Sequence, residues 1–264
     1  MFEPYILARA RWKKRLVHWF FEDANFQHVC LWRALTAKEA DQIRKCGINA
    51  PIVVAPNGLN PAEYPTPEKR AEWIPTPRVP RLTKVRPRLL FLSRIHPKKG
   101  LDLLLTAWAG QSYKDWELVI AGPDEQGYLT AMERLAASLG IRDQVVFTGA
   151  VTGQTKIDLL YSADLFSLPS YSEGLPMSLL EAMACGVPVL ATKQCNCPDV
   201  ELSGAGWLCD PDLDSLVKAL SVALNVAESE RRQRGAAGRR LVERSFAWPK
   251  VASEILSACA AHCS

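Results

Sequence analysis

Between residues 88 and 192, short apolar runs alternate with longer segments whose apolar residues recur at helical spacing. Parallel strands need a crossover between them, and continuous apolar runs are typical of strands that are covered on both faces. The pattern therefore predicts an α/β fold, with a parallel sheet and helices on both of its faces. The predicted strands are 88–92, 117–121, 144–147, 165–168 and 187–191, and the predicted helices between them are 100–109, 128–139, 155–162 and 176–184.

One stretch of this region, Leu168–Thr192, carries two acids around a predicted helix start. Glu173 precedes the helix that Pro176 opens, and Glu181 lies on it, with seven residues between the two acids. The first N–H groups of a helix are unpaired and carry a partial positive charge, so a phosphate can bind there. From the spacing alone, two solvated glutamates remain an alternative to a site for a phosphorylated sugar.

A basic turn follows the first predicted strand of this region. It contains Arg94 and Lys99, and Lys99 stands directly before Gly100, where a helix is predicted to begin. A guanidinium can bind two phosphate oxygens at once and an ammonium adds a point charge. A solvated basic turn is the alternative, because Lys98 and His96 lie in the same segment. Since Arg94, Gly149 and Glu173 follow strands of one parallel sheet, they are expected at one edge of it.

Several motifs resemble the family-4 (group 1) glycosyltransferases, which have the GT-B fold. The segment Glu173–Val189 matches the signature of an acid, seven residues, a second acid and then Ala-Met-Ala-x-Gly-x-Pro-Val. Arg94 with Lys99-Gly100 resembles that family's donor-phosphate pair, and 146–149 and 163–170 extend the match. The resemblance covers roughly residues 33–255. It implies that 88–245 is the Rossmann-like donor-binding domain of a GT-B enzyme.

The resemblance also implies a role for each matching residue. Glu173 would be the catalytic acid that touches the transferred sugar, and Glu181 would hold the ribose hydroxyls of the nucleotide. The donor-binding residues would be Arg94, Lys99, Gly174, Leu175, Pro176, Glu181 and Gly149. The implied reaction transfers a hexosyl group from a nucleotide-diphosphate sugar to a glycan or lipid-linked acceptor, with retention of configuration. No cofactor is expected besides the sugar donor.

The first part of the chain departs from the family pattern. Residues 1–60 resemble only the last portion of an N-terminal acceptor domain, so a partial α/β domain is expected there. Seven prolines within 61–87 predict a linker, and 246–264 is expected to be a helix that packs back toward the N-terminal part. Either the chain is a fragment or it is a short natural form. A truncated, non-catalytic module that binds a nucleotide sugar is therefore the alternative function.

Charge and cysteine content exclude some other classes. The net charge of +4 is too small to indicate nucleic acid as a partner. Eight cysteines are scattered through a chain with an ample core, which favours reduced thiols and a cytoplasmic protein. The Asp210-Pro-Asp212-Leu-Asp214 segment resembles an Asp-x-Asp metal motif, but we interpret Asp212 as a helix N-cap and expect no metal. Trp108 and Tyr128 are expected to pack rather than to touch a ligand.

Residues 5–21 are basic and rich in aromatic side chains. We favour a helix whose aromatic residues pack on the protein and whose basic residues face water. A helix on the inner membrane surface is the alternative. No apolar run reaches the roughly 18 residues needed to span a bilayer, and no signal peptide is expected before this helix.

Overall fold

The computed structural model describes residues 29–64, 66, 86–110, 113 and 115–263. The segment 5–21 and most of the predicted linker lie outside the described residues. Two compact units divide the chain: one ends at Gly58 and resumes at Phe246, and the other spans Leu59–Ser245. None of the helices in the described part of the chain is long and apolar enough to cross a membrane.

The first unit contains a small βαβ arrangement. Strand β1 (Trp32–Ala34) pairs in parallel with β2 (Ile52–Val54), and helix α1 (Ala37–Lys45) connects them. A capping box begins α1, where the hydroxyl of Thr36 accepts a hydrogen bond from the backbone N–H of Glu39 at 3.2 Å. The Glu39 carboxylate bonds the N–H of Leu35, one residue before the cap. A further helix, Trp248–His262, belongs to this unit.

A disulfide joins Cys30 to Cys263 within the first unit. The prediction that every cysteine is a reduced thiol is therefore wrong for this pair. The two residues are 233 positions apart in sequence, and the fold brings their Cα atoms to 5.5 Å, within the range that a disulfide requires. Among the described residues, Cys46, Cys195, Cys197, Cys209 and Cys259 form no disulfide.

The second unit is built on a six-stranded parallel sheet in the order β5-β4-β3-β6-β7-β8. The strands are β3 (Arg88–Leu92), β4 (Glu117–Ala121), β5 (Val145–Gly149), β6 (Leu165–Leu168), β7 (Val189–Thr192) and β8 (Gly206–Cys209). Every residue of β3, β6 and β7 is buried, as expected of strands covered on both faces. The predicted parallel sheet is confirmed, and β8 is a strand that the apolar pattern did not predict.

Helices cover both faces of this sheet. They are α2 (Leu101–Ala109), α3 (Tyr128–Ser138), α4 (Gly153–Ser162), α5 (Met177–Ala184), α6 (Asp199–Leu202), α7 (Leu213–Asn225) and α8 (Glu228–Leu241). Helix α2 packs against α3 and α7, whereas α5 packs against α4 and α8, which gives one helical layer on each side. Trp108 is fully buried on α2, so it is a core residue, as predicted.

The strand order places a topological switch point in the middle of the sheet. From β3 the chain moves outward to β4 and β5, and it then returns to the other side of β3 to form β6. The loops that leave the carboxyl ends of β3 and β6 therefore diverge, and parallel α/β sheets bind their ligands in the crevice between such loops. Arg94 and Lys99 lie in the first loop, and Glu173 lies in the second.

Candidate functional site at the switch point

The two loops at the switch point are joined to each other. A 3-10 turn, Pro97–Lys99, precedes α2, and Gly100 follows it in the left-handed conformation with φ of 67°. A Cβ atom at Gly100 would overlap the carbonyl oxygen of Pro169, so only glycine allows this approach. The N–H of Tyr171 donates to the carbonyl oxygen of Lys98 at 2.9 Å. These contacts fix the position of Lys99 relative to the β6–α5 loop.

Lys99 and Glu173 form an ion pair between these loops. The Lys99 Nζ atom lies 2.6 Å from Oε1 of Glu173, and each side chain is only 10% exposed. The Ser170 hydroxyl donates to the same oxygen at 2.7 Å. Moving an ammonium and a carboxylate out of water is costly, so such a pair needs close geometry and further hydrogen bonds. This pair has both.

The loop that follows β7 also holds the backbone around Glu173. The N–H of Glu173 donates to the carbonyl oxygen of Gln194 at 3.0 Å. The Asn196 amide donates to the carbonyl oxygens of both Glu173 and Gly174. Asn196 adopts the left-handed conformation, with φ of 53°, which asparagine tolerates better than most residues. Three loops therefore orient Glu173 before any ligand binds.

Arg94 lies apart from this pair. Its guanidinium binds Glu125 at 2.7 Å, and its side chain is 60% exposed. A surface ion pair of this kind contributes little to stability, so a stronger anion can displace Glu125 from Arg94 at small cost.

Glu181 has its own partners on a neighbouring helix and loop. The Nζ atom of Lys156, on α4, lies 2.8 Å from Oε1 of Glu181. The Tyr64 hydroxyl donates to the same oxygen at 3.4 Å. Burial and the charge of Glu181 raise the pKa of Tyr64 well above its usual value, so this phenol stays protonated.

The first backbone N–H groups of α5 are candidates for binding an anion. Pro176 has an extended backbone and immediately precedes the helix, which begins at Met177 rather than at Pro176 itself. No side chain caps this end of the helix. The segment Gly174–Pro176 leads from Glu173 directly to these N–H groups, and Leu175 is buried within it. An uncapped helix start favours an anion.

Gly149 ends β5 at the same edge of the sheet. It has φ of 74°, and its carbonyl oxygen accepts a hydrogen bond from the N–H of Gly122 at 2.9 Å. The fold thus places all the candidate residues on the carboxyl side of the strands. The charged candidates that contact each other are Lys99 and Glu173, whereas Arg94 and Glu181 pair with other side chains. Sequence reasoning did not identify Ser170, Asn196, Lys156 and Tyr64, although Ser170 lies within the matched segment 163–170.

The aspartates of the Asp-x-Asp segment have structural partners. Oδ1 of Asp212 accepts a hydrogen bond from the N–H of Ser215 at 2.9 Å, which caps α7 and lowers the pKa of that carboxyl. Asp210 binds Lys193 at 3.0 Å. Across the described ranges, no cluster of three or more His, Cys, Asp or Glu residues could hold a metal ion.

Residues 76–240 match the family described as "Glycosyl transferases group 1", and this match covers more than half of the chain. The protein belongs to the group 1 glycosyltransferases. Its signature residues Glu173 and Glu181 lie inside the matched region.

Curated relatives of this glycosyltransferase carry activities in their names. One, from Mycolicibacterium smegmatis, is a GDP-mannose-dependent alpha-(1-6)-phosphatidylinositol monomannoside mannosyltransferase, 33% identical over 62% of this chain and 45% of its own length. The protein of the same name from Mycobacterium tuberculosis is 31% identical over 79% of this chain and 56% of its own length. A D-inositol 3-phosphate glycosyltransferase from Salinispora tropica is 31% identical over 63% of this chain and 36% of its length. The chain thus spans about half or less of the relatives that it matches.

Solved structures share the fold. Sucrose-phosphate synthase from Thermosynechococcus elongatus superimposes with a TM-score of 0.76 at 23% identity, over 89% of this chain and 59% of its own. The Anabaena protein HepE in complex with UDP and glucose gives a TM-score of 0.76 at 20% identity, over 88% of this chain and 64% of its own. At this identity the likeness concerns the fold, and it agrees with the GT-B architecture.

Proposed function

We propose that this glycosyltransferase chain binds a nucleotide-diphosphate sugar at the carboxyl ends of β3 and β6. Its reaction is the transfer of a hexosyl group to a glycan or lipid-linked acceptor, with retention of configuration. The observation that carries the proposal is the nearly buried Lys99–Glu173 ion pair at the switch point. Burying an ion pair carries a large desolvation cost, so its presence at the switch point favours a role in ligand binding.

The charges around the pair suit a diphosphate. Lys99 supplies a cation, and the uncapped start of α5 supplies backbone N–H groups. A bound diphosphate would accept hydrogen bonds from Lys99, and Glu173 would then exchange its ammonium partner for hydroxyl groups of the sugar. Arg94 could reach the outer phosphate oxygens after it leaves Glu125.

The same groups can lower the barrier for transfer. When the bond between the sugar and the diphosphate breaks, negative charge grows on the departing diphosphate. Lys99 and the start of α5 lie in fixed positions where they would stabilise this charge as it forms. Glu173 would stabilise the positive charge on the sugar ring from the opposite side, which assigns it the catalytic role.

The relatives support the class of donor and acceptor. The two mycobacterial proteins are named as GDP-mannose-dependent, and the name of their acceptor is that of a phosphatidylinositol lipid. An acceptor of that kind would place the reaction at a membrane surface, which corresponds to the alternative given above for the basic aromatic segment 5–21.

A donor-binding module without transfer activity is the second candidate function. The observation that favours it is that Lys99, Glu173, Glu181 and Arg94 all belong to one unit, Leu59–Ser245. The candidate donor-binding residues therefore lie within a single unit, whereas transfer also needs an acceptor site.

Calorimetric titration with UDP, GDP and ADP and with their sugar conjugates tests donor binding. We expect one nucleotide to bind, and Lys99→Met and Glu173→Gln to weaken the binding of its sugar conjugate by about tenfold or more, since charged hydrogen bonds are lost. The matched controls are Lys250→Met and Glu254→Gln, which remove an exposed ion pair on the C-terminal helix and should leave binding unchanged.

Turnover then separates the two candidate functions. Hydrolysis or transfer of the bound donor that disappears in Glu173→Gln supports the enzyme, and binding without any turnover supports the module. If none of the nucleotides binds, both candidate functions are excluded.

A further inference from the structure

Two side chains donate hydrogen bonds to Glu181, and both of them approach the same carboxylate oxygen. Lys156 and Tyr64 both bind Oε1, at 2.8 and 3.4 Å. Among the residues that the structure describes, none donates a hydrogen bond to Oε2 of Glu181. The Glu181 side chain is 12% exposed, so it retains some access to solvent.

We propose that Lys156 and Tyr64 are positioning residues that hold Glu181 so that its Oε2 atom accepts hydrogen bonds from the ribose hydroxyls of the nucleotide. This inference rests on the proposed function, in which Glu181 contacts the ribose. It adds two residues outside the signature motif, and it makes the preference for ribose over deoxyribose depend on them.

Lys156 is placed for this role by the fold. It lies near the start of α4, which follows the carboxyl end of β5, and α4 packs beside α5 in the same helical layer. Its ammonium group therefore bridges α4 and α5, two helices of the same layer on the sheet. A carboxylate held by a charged hydrogen bond loses less conformational entropy when a ligand binds, which favours affinity.

Arg239 holds the backbone of Tyr64 in place. The Arg239 guanidinium donates to the carbonyl oxygen of Tyr64 at 3.1 Å and also to the carbonyl oxygen of Ala184 at the end of α5. The same arginine thus ties Tyr64 to the helix that carries Glu181. Because the phenol stays protonated, it can act only as a donor toward the carboxylate.

The test compares a ribonucleotide with its 2′,3′-dideoxy analogue. The probe is whichever of UDP, GDP or ADP binds the wild-type chain, together with the dideoxy form of the same nucleotide. Dissociation constants are measured for wild type, Lys156→Met, Lys156→Arg, Tyr64→Phe, Glu181→Gln and the Lys156→Met/Glu181→Gln double variant. Circular dichroism and the melting temperature confirm that each variant is folded, and Lys250→Met is the matched control for the lost charge.

We expect wild type to prefer the ribonucleotide by about tenfold and Glu181→Gln to lose this preference. Lys156→Met should reduce the preference to about threefold or less while the affinity for the dideoxy analogue stays within twofold. Lys156→Arg should restore most of the preference, and Tyr64→Phe should lose about two- to threefold of it. The double variant should be no worse than Glu181→Gln alone, because Lys156 acts through Glu181.

Three results would overturn the inference while leaving the proposed function intact. Equal weakening of both nucleotides in Lys156→Met would show that Lys156 contacts the phosphates directly. Tighter ribonucleotide binding in that variant would show that Lys156 competes with the ribose for Glu181. An unchanged preference in both Lys156→Met and Tyr64→Phe would show that neither residue positions Glu181. If wild type binds no nucleotide at all, the proposed function and this inference fail together.

Discussion

The energetic coupling between Lys99 and Glu173 can be measured by a double-mutant cycle on the stability of the protein. The variants are Lys99→Met, Glu173→Gln and the combination of both. Methionine keeps most of the length of the lysine stem, and glutamine keeps the shape of the glutamate. The cycle therefore removes charge while it preserves packing.

The structure sets the expected magnitude. At 2.6 Å and an effective dielectric constant of about 20, the Coulomb attraction of the two charges is about 6 kcal/mol before desolvation is subtracted. Lys99→Met leaves a nearly buried carboxylate with Ser170 as its remaining side-chain donor, so we expect a loss of about 3 kcal/mol. Glu173→Gln retains a neutral acceptor for lysine and should cost about 2 kcal/mol. The coupling energy should be about 2 kcal/mol, so the double variant should cost about 3 kcal/mol.

Urea unfolding followed by circular dichroism gives the free energy of unfolding of each variant. The control cycle uses Glu228→Gln and Arg232→Met, an exposed pair in the same unit, for which the coupling should be about 0.5 kcal/mol or less. A coupling below about 0.5 kcal/mol for Lys99 and Glu173 would show that the buried pair does not form in solution.

Three smaller predictions follow from single positions. Gly122→Ala should destabilise the protein by about 3 kcal/mol in urea unfolding, because φ is 145° there and a Cβ atom would overlap the carbonyl oxygen of Ser93; a loss below 1 kcal/mol would contradict this. Burial raises the pKa of the Cys195 thiol from its ordinary 9.0 to about 12, so exposed Cys46 should be alkylated by iodoacetamide far faster than Cys195 at pH 8.5. The unfolded Cys195 thiol loses its proton near pH 9 and the folded one near 12, so the free energy of unfolding should fall as pH rises through that window; equal alkylation rates, or stability that is constant there, would argue against burial. Asp212→Ala should lower the melting temperature through loss of the α7 cap, and an unchanged melting temperature would argue against the cap.

Much of the fold could be predicted from the sequence because the strands of a doubly covered sheet are continuous apolar runs. Strands β3, β4 and β6 have the predicted bounds, since polar, glycine or proline residues border each apolar run. Strand β7 begins at Val189, two residues later than predicted, because Pro188 has no N–H to give to the sheet.

Strand β8 was missed because its four residues lack a strong apolar pattern. Its first residue, Gly206, is a residue type that strands disfavour. The structure shows why glycine is there: a Cβ atom would overlap the carbonyl oxygen of Val189 on the neighbouring strand. The reason is a tertiary contact, which a local pattern does not contain.

The site residues, like the strands, could be predicted where the local sequence indicated them, but their contacts depend on the tertiary fold. Lys99 and Glu173 were each candidates because of their positions beside helix starts, and the resemblance to a family gave them roles. Their direct contact spans 74 residues and depends on the strand order, which places β3 beside β6. Lys156 lay in an unremarkable helical pattern, and only the packing of α4 on α5 brings it to Glu181.

The disulfide was missed for a related reason. Scattered cysteines in a chain with an ample core favour reduced thiols, and spacing alone gave no indication that Cys30 and Cys263 would meet. Their pairing depends on a fold in which the segment before β1 and the C-terminal helix belong to one unit.

A structure of the protein with a bound nucleoside diphosphate would locate the donor site. We predict that the diphosphate lies at the start of α5 within hydrogen-bond distance of Lys99 Nζ, that the ribose hydroxyls face Glu181, and that the Lys99–Glu173 contact of 2.6 Å lengthens or opens. A nucleotide bound away from the carboxyl ends of β3 and β6, with that contact unchanged, would contradict it.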